Sequence, residues 1–198
     1  MYVKLKIGKG TKMKKIFTML MMATMALTFT SCEDEMIADT LEGTWSGSMF
    51  IGSEWGGQYY EATSTEITFL IDPFRFTKGS GYWVDYYRNA PWGDYVANHI
   101  NWSVSNGIIY VYFIEDGDRI EIHDYRLSHN RFVGTIYDAG NVVDFDLYCV
   151  NRPSNYWDNY NWGYGYWYND YYARTRSANN DSTSILEKPK RVIRVPQK

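Results

Sequence analysis

The groups best able to do acid–base or metal chemistry are three histidines, His99, His123 and His129. They fall on different predicted strands and turns, with no H-x-H or H-x-x-x-H pairing. The three or four converging ligands of a zinc site are therefore not supplied. Cys149 has no histidine near it in sequence, and no G-x-S-x-G frames a serine nucleophile. A lone cysteine in a strand reads as a small buried hydrophobe. Asp116-Gly117-Asp118 opens like a calcium loop but lacks the closing glutamate, so it reads as a turn. Asp144 and Asp146 alternate with Val143 and Phe145 and mark a wet strand face rather than a pair of glycosidase acids. The expectation is a non-enzyme with no cofactor and no metal. Aromatic rings are the chain's abundant chemistry, at 18% of residues. Tyr and Trp bury large area and keep a polar handle. Trp83, Tyr86, Trp92, Trp102, Tyr110 and Tyr112 are the candidate contacts for a small amphipathic ligand or a glycan. An outer platform for sugar rings would use Trp55, Tyr59, Tyr60, Trp83, Tyr87 and Trp92.

The elements that must hold these rings are strands. Apolar and polar residues alternate over Gly43–Ile51, Thr65–Ile71, Tyr82–Arg88, Val96–Val104, Arg119–Leu127, Phe132–Tyr137 and Val142–Val150. Asn106-Gly107 between two β-type runs predicts a tight hairpin, because both residues tolerate positive φ. Turn residues also stand at Lys78–Gly81, Asp116–Asp118, Ser128–Asn130 and Ala139–Asn141. No ten-residue stretch shows helical periodicity. The fold expected is all-β: an eight-stranded antiparallel up-and-down barrel over residues 43–152, with a two-sheet β-sandwich as the alternative. Trp45, Phe69, Tyr86, Trp102, Tyr110, Tyr112, Phe132 and Phe145 are the expected inward residues.

Gly43-Thr44-Trp45 on the first strand resembles the G-x-W motif of lipocalins, and His123-Asp124-Tyr125 is similar to their T-D-Y motif. Arg152, just past the last strand, stands where lipocalins place an Arg that stacks on the motif Trp. The resemblance implies that Gly43, Trp45, Asp124, Tyr125 and Arg152 close the barrel, with Arg152 over Trp45 as a cation–π pair. It covers about 110 residues, from Gly43 to Arg152, and implies a ligand carrier.

The N-terminus reads as an address. Lys14 and Lys15 precede an apolar run over residues 16–30, too short to span a bilayer, which makes residues 1–31 a secretory signal with Met13 as the natural start. Ser31-Cys32 resembles the lipobox of bacterial lipoproteins, which implies lipidation of Cys32 and a membrane anchor. Glu33-Asp34-Glu35 resembles the surface-export signal of Bacteroidota lipoproteins. These resemblances imply an outer-membrane lipoprotein at the cell surface, or alternatively on the periplasmic leaflet. Residues 32–42 are expected to be a lipidated linker. Thr40 and Ser182 sit in motifs that resemble Bacteroidota O-glycosylation sites. Residues 1–31 hold six lysines and no acid, so the mature chain keeps 14 basic and 23 acidic residues. That balance excludes nucleic acid as a partner.

Residues 156–172 hold seven Tyr and three Trp and no aliphatic residue, and the end of the chain is basic. Residues 153–198 are expected to be a largely disordered tail. A part of it is expected to cover the outward face of Ile108–Ile114, with Ile109, Val111 and Phe113 on that face. The function expected is binding of a small amphipathic ligand or glycan. The alternative is a structural envelope protein that docks a protein partner through its aromatic tail.

Overall fold

The structure is a computed structural model and describes residues 32–138, 140–153, 155–164 and 189–193. The predicted signal segment 1–31 and Ser182 lie outside the described residues.

The barrel is closed and antiparallel. Its wall runs through β1 (Gly43–Met49), β3 (Gln58–Asp72), β4 (Arg75–Tyr87), β5 (Tyr95–Ser105), β6 (Ile108–Phe113), β7 (Arg119–Leu127), β8 (Arg131–Asp138) and β9 (Asn141–Val150). Each strand pairs with the next in this sequence, and β1 pairs with both β9 and β3, which closes a ring of eight strands and leaves no free edge. The upper half of β3 pairs instead with β2 (Ile51–Trp55) through a turn at Gly56-Gly57, a hairpin the strand pattern did not reveal. Asn106 and Gly107 adopt φ of 52° and 72°, so the predicted tight turn joins β5 to β6.

One contiguous apolar cluster fills the lower interior. Trp45, Phe69, Trp102, Phe132 and Phe145 point inward as expected. Trp45 meets Phe132 edge to face, as does Phe69 with Trp102. Tyr86, Tyr110 and Tyr112 do not point inward. On β4 the buried face is Trp83 and Asp85, and on β6 it is Ile109, Val111 and Phe113, so that face looks into the barrel rather than outward, and of the tail Arg191 reaches Phe113 there.

Residues 32–41 form a helix, α1, where a linker was expected. Ala38 and Leu41 are fully buried against the lower barrel, and Ile37 packs beside them. The Leu41 carbonyl accepts the Trp45 indole N–H at 2.8 Å. Asp34 reaches the β5–β6 turn, accepting the N–H groups of Asn106 at 2.9 Å and Gly107 at 2.8 Å. The helix thus closes the lower end. Glu33 to Glu35 lie in its first turn, where negative charge suits the helix dipole. No helix among the described residues is long and apolar enough to cross a membrane.

Two segments of the tail are described, and both are placed on the barrel. A 3₁₀ turn, Tyr156–Asn159, and the residues up to Tyr164 cover the outside of β4 and β5. A short strand, β10 (Lys190–Ile193), pairs with β2 at the upper rim.

Candidate functional site

Two regions gather side chains able to hold a ligand: a groove on the lower outer wall and a polar cup inside the upper mouth. The groove follows from strand alternation. Lys78, Asn101, Ser103, Tyr110 and Tyr112 point outward from β4, β5 and β6. On the inner side of this wall, Gly79 has no side chain, so the buried Trp102 indole lies across it and donates to the Ser80 carbonyl at 2.9 Å. With Arg119 these residues line a cleft of about 520 Å³. A second cleft of about 560 Å³ shares Lys78, Asn101 and Trp102 and extends to Asp72 and Arg75 at the β3–β4 turn. The Arg119 guanidinium sits 5.4 Å from the Tyr110 ring centre, and Tyr112 is 43% exposed. The groove therefore offers the Tyr110 and Tyr112 rings, three cations, one carboxylate and several uncharged polar groups side by side.

The cup is built from inward positions near the top. Asp85 of β4 is fully buried and accepts from Thr65 Oγ1 at 2.8 Å and Trp83 Nε1 at 2.9 Å. Arg191 of β10 fills the cup. It donates from Nε to Asp85 at 2.9 Å, from Nη1 to Asp116 at 2.6 Å and from Nη2 to Asn98 at 2.6 Å. Its guanidinium carbon lies 4.2 Å from the Phe113 ring centre. Burial works against the charge on Arg191, but Asp85 and then Asp116 outweigh it and hold its pKa above the usual arginine value. Ser53 bonds the hydroxyls of Tyr87, at 2.8 Å, and Tyr164. Burial pushes both phenols up.

The predicted contact residues part company here. Tyr110 and Tyr112 share the groove, while Trp102 is buried in the core and borders the clefts from within. Trp83 is inside, bonded to Asp85. Trp92 is buried among Tyr60, Tyr87 and Tyr164, so the platform of Trp83, Tyr87 and Trp92 is not an exposed surface. Tyr86 lies under the tail, bonded to Tyr160 at 2.7 Å, and burial is the main cause that drives its pKa upward. The tail's Trp157 stacks on Tyr82 at 5.3 Å, and Trp162 lies 3.8 Å from the outward His99, which bonds Glu115 at 2.6 Å.

The motif residues are also redistributed. Arg152 does not stack on Trp45. It grips the buried Glu66 at 2.5 and 3.1 Å and lies 4.9 Å from the Tyr156 ring centre, so it anchors the tail instead. Asp124 takes φ of 47° at a bulge between β7 and β8, which aims Tyr125 at Phe132. Thr40 lies on α1 rather than in a linker, and its hydroxyl donates to the Met36 carbonyl at 2.9 Å. Among the described residues, no group of three or more His, Cys, Asp or Glu is arranged to hold a metal. Missing from the sequence reading were Asp85, Asn98 and Arg191, whose proximity depends on a strand returning from the end of the chain.

Residues 41–134, from the last residue of α1 into β8, match the family model of the lipocalin-like domain. No curated protein and no solved structure matches the chain. Over those residues the chain is similar to the lipocalin-like domain, and it folds as a closed eight-stranded barrel of a kind suited to holding small molecules.

Proposed function

We propose that this chain is a lipid-anchored outer-membrane lipoprotein, exposed at the cell surface, whose outer groove binds a small amphipathic molecule or a glycan without transforming it. The observation that carries the reading is the placing of the outward Tyr110 and Tyr112 rings beside Lys78, Asn101, Ser103 and Arg119 along one cleft of the outer wall. The lower interior is filled by packed side chains, which turns a ligand toward the outer wall. Ring faces stack on sugars or flat apolar groups, while the cations and amides take hydroxyls or a carboxylate.

The anchor suits this placement. Cys32 begins α1 at the closed end, where Met36, Phe74 and Phe76 are exposed and share that end with the groove's lower mouth. Phe74 is 90% exposed at the tip of the β3–β4 turn. A bilayer at this end would leave the upper rim facing outward. The tail's described aromatics are packed on the barrel itself, which weighs against the tail as the partner-docking surface.

Cys32→Ala is expected to abolish the membrane-bound form, read by partition into detergent. A variant that still partitions would remove the anchor from the account. For the groove, Tyr110→Ala with Tyr112→Ala is expected to lose binding to any polysaccharide the parent chain recognises on a glycan array. Unchanged recognition would dispose of the groove.

A further inference from the structure

The upper cup holds a charge that the barrel wall does not supply. Asp85, Asn98, Phe113 and Ser53 belong to wall strands and their extension, and Asp116 to the β6–β7 loop. Asp85 is already oriented by Thr65 and Trp83, so its acceptor position exists without Arg191. The guanidinium comes from a four-residue strand, last in the sheet order, whose one ladder among the described residues is to β2. Every strand of the closed ring has two ladder partners. The cup also carries polar capacity that its occupant does not use. Asn98 is fully buried, and its Nδ2 has no hydrogen-bond partner among the described residues while Oδ1 accepts from Arg191. Ile193 of the same strand reaches the apolar core, so the occupant is read by charge at one position and by an aliphatic side chain two residues on.

We propose that the upper mouth is a receptor site for an extended, arginine-bearing peptide segment, occupied here by the chain's own Lys190–Ile193. A guanidinium fork meets three acceptors at once, which an ammonium cannot do in this geometry. A segment supplied by another molecule would replace the β2–β10 ladder by strand addition and leave the ring of eight strands intact.

The test uses the full chain carrying Arg191→Ala and a dye-labelled synthetic peptide spanning residues 188–195. The peptide is expected to bind at one saturable site and to raise Tm by about 5–10 °C at saturating concentration. The same peptide with lysine in place of its first arginine should bind at least about tenfold more weakly. Ethylguanidinium should reproduce part of the Tm rise, and ethylammonium should not. Adding Asp85→Asn to Arg191→Ala should abolish both gains. If Arg191→Ala alone does not fold, the same titrations read peptide-induced folding by near-ultraviolet circular dichroism. No saturable gain, an equal gain with the lysine peptide, or a gain that survives Asp85→Asn would overturn the proposal. None of these results bears on the outer groove, whose residues the variants leave intact.

Discussion

Taking a guanidinium out of water costs several kcal/mol unless fixed acceptors replace its hydration. Arg191 meets that condition with Asp85, Asp116 and Asn98, and removing it leaves the Asp85 carboxylate buried with no cation. Arg191→Ala is therefore expected to destabilise the fold by about 3–5 kcal/mol, read from urea unfolding, and Asp85→Asn on that background should recover part of the loss. A smaller effect would mean that water enters the cup. Tyr125 shows the opposite economy. Its hydroxyl is buried with no hydrogen-bond partner among the described residues, and burial, then Asp34, then Glu33, push its pKa up to about 12. The native state thus holds the phenol's proton more tightly than the unfolded chain does. Its contribution is complete below about pH 10 and is lost as pH climbs through about 12. Tyr125→Phe should keep its stability at neutral pH and lose less than the parent chain between these values. Equal alkaline losses in the two chains would contradict this assignment.

At the scale of elements, α1 and the β5–β6 hairpin are one device. Asp34 accepts two backbone N–H groups of the turn, and Leu41 caps the Trp45 indole. Asp34→Ala should cost about 1–2 kcal/mol and raise amide exchange at Asn106 and Gly107. Unchanged exchange at those two amides would show that the helix does not hold the hairpin. The hairpin itself was legible, because Asn-Gly specifies a turn on local grounds. The phase of β4 was not. Its two faces read Tyr82, Val84, Tyr86 and Trp83, Asp85, Tyr87, and neither is plainly apolar. The decision depends on Trp157 covering Val84 from outside and Arg191 pairing Asp85 from inside, both contributed by distant residues. On β6 both faces are apolar or aromatic, so alternation could not say that Tyr110 and Tyr112 belong to the groove. The helix escaped notice because its buried stripe is only Ala38 and Leu41, set behind an acidic run.

As a whole molecule the chain is a barrel closed at three places by parts outside the ring. The lower end is closed by α1, the outer face of β4 and β5 is covered by residues 155–164, and the upper mouth is plugged by β10. Strand count, closure and inward aromatics such as Trp45 and Phe132 were within reach of the sequence, since period-two alternation and turn spacing depend on neighbours. The plug and the cover were not, since their contacts join residues about a hundred positions apart, as in Arg191 with Asp85. This architecture fills the lower interior and the upper mouth, and the place proposed for a small molecule is the outer groove. Native mass spectrometry of the mature protein from its own host, beside its Tyr110→Ala, Tyr112→Ala variant, tests that claim most directly. A stoichiometric extra mass is expected on the parent chain, released by denaturation and absent from the variant. A bare parent chain, or an extra mass that the variant retains, would contradict it.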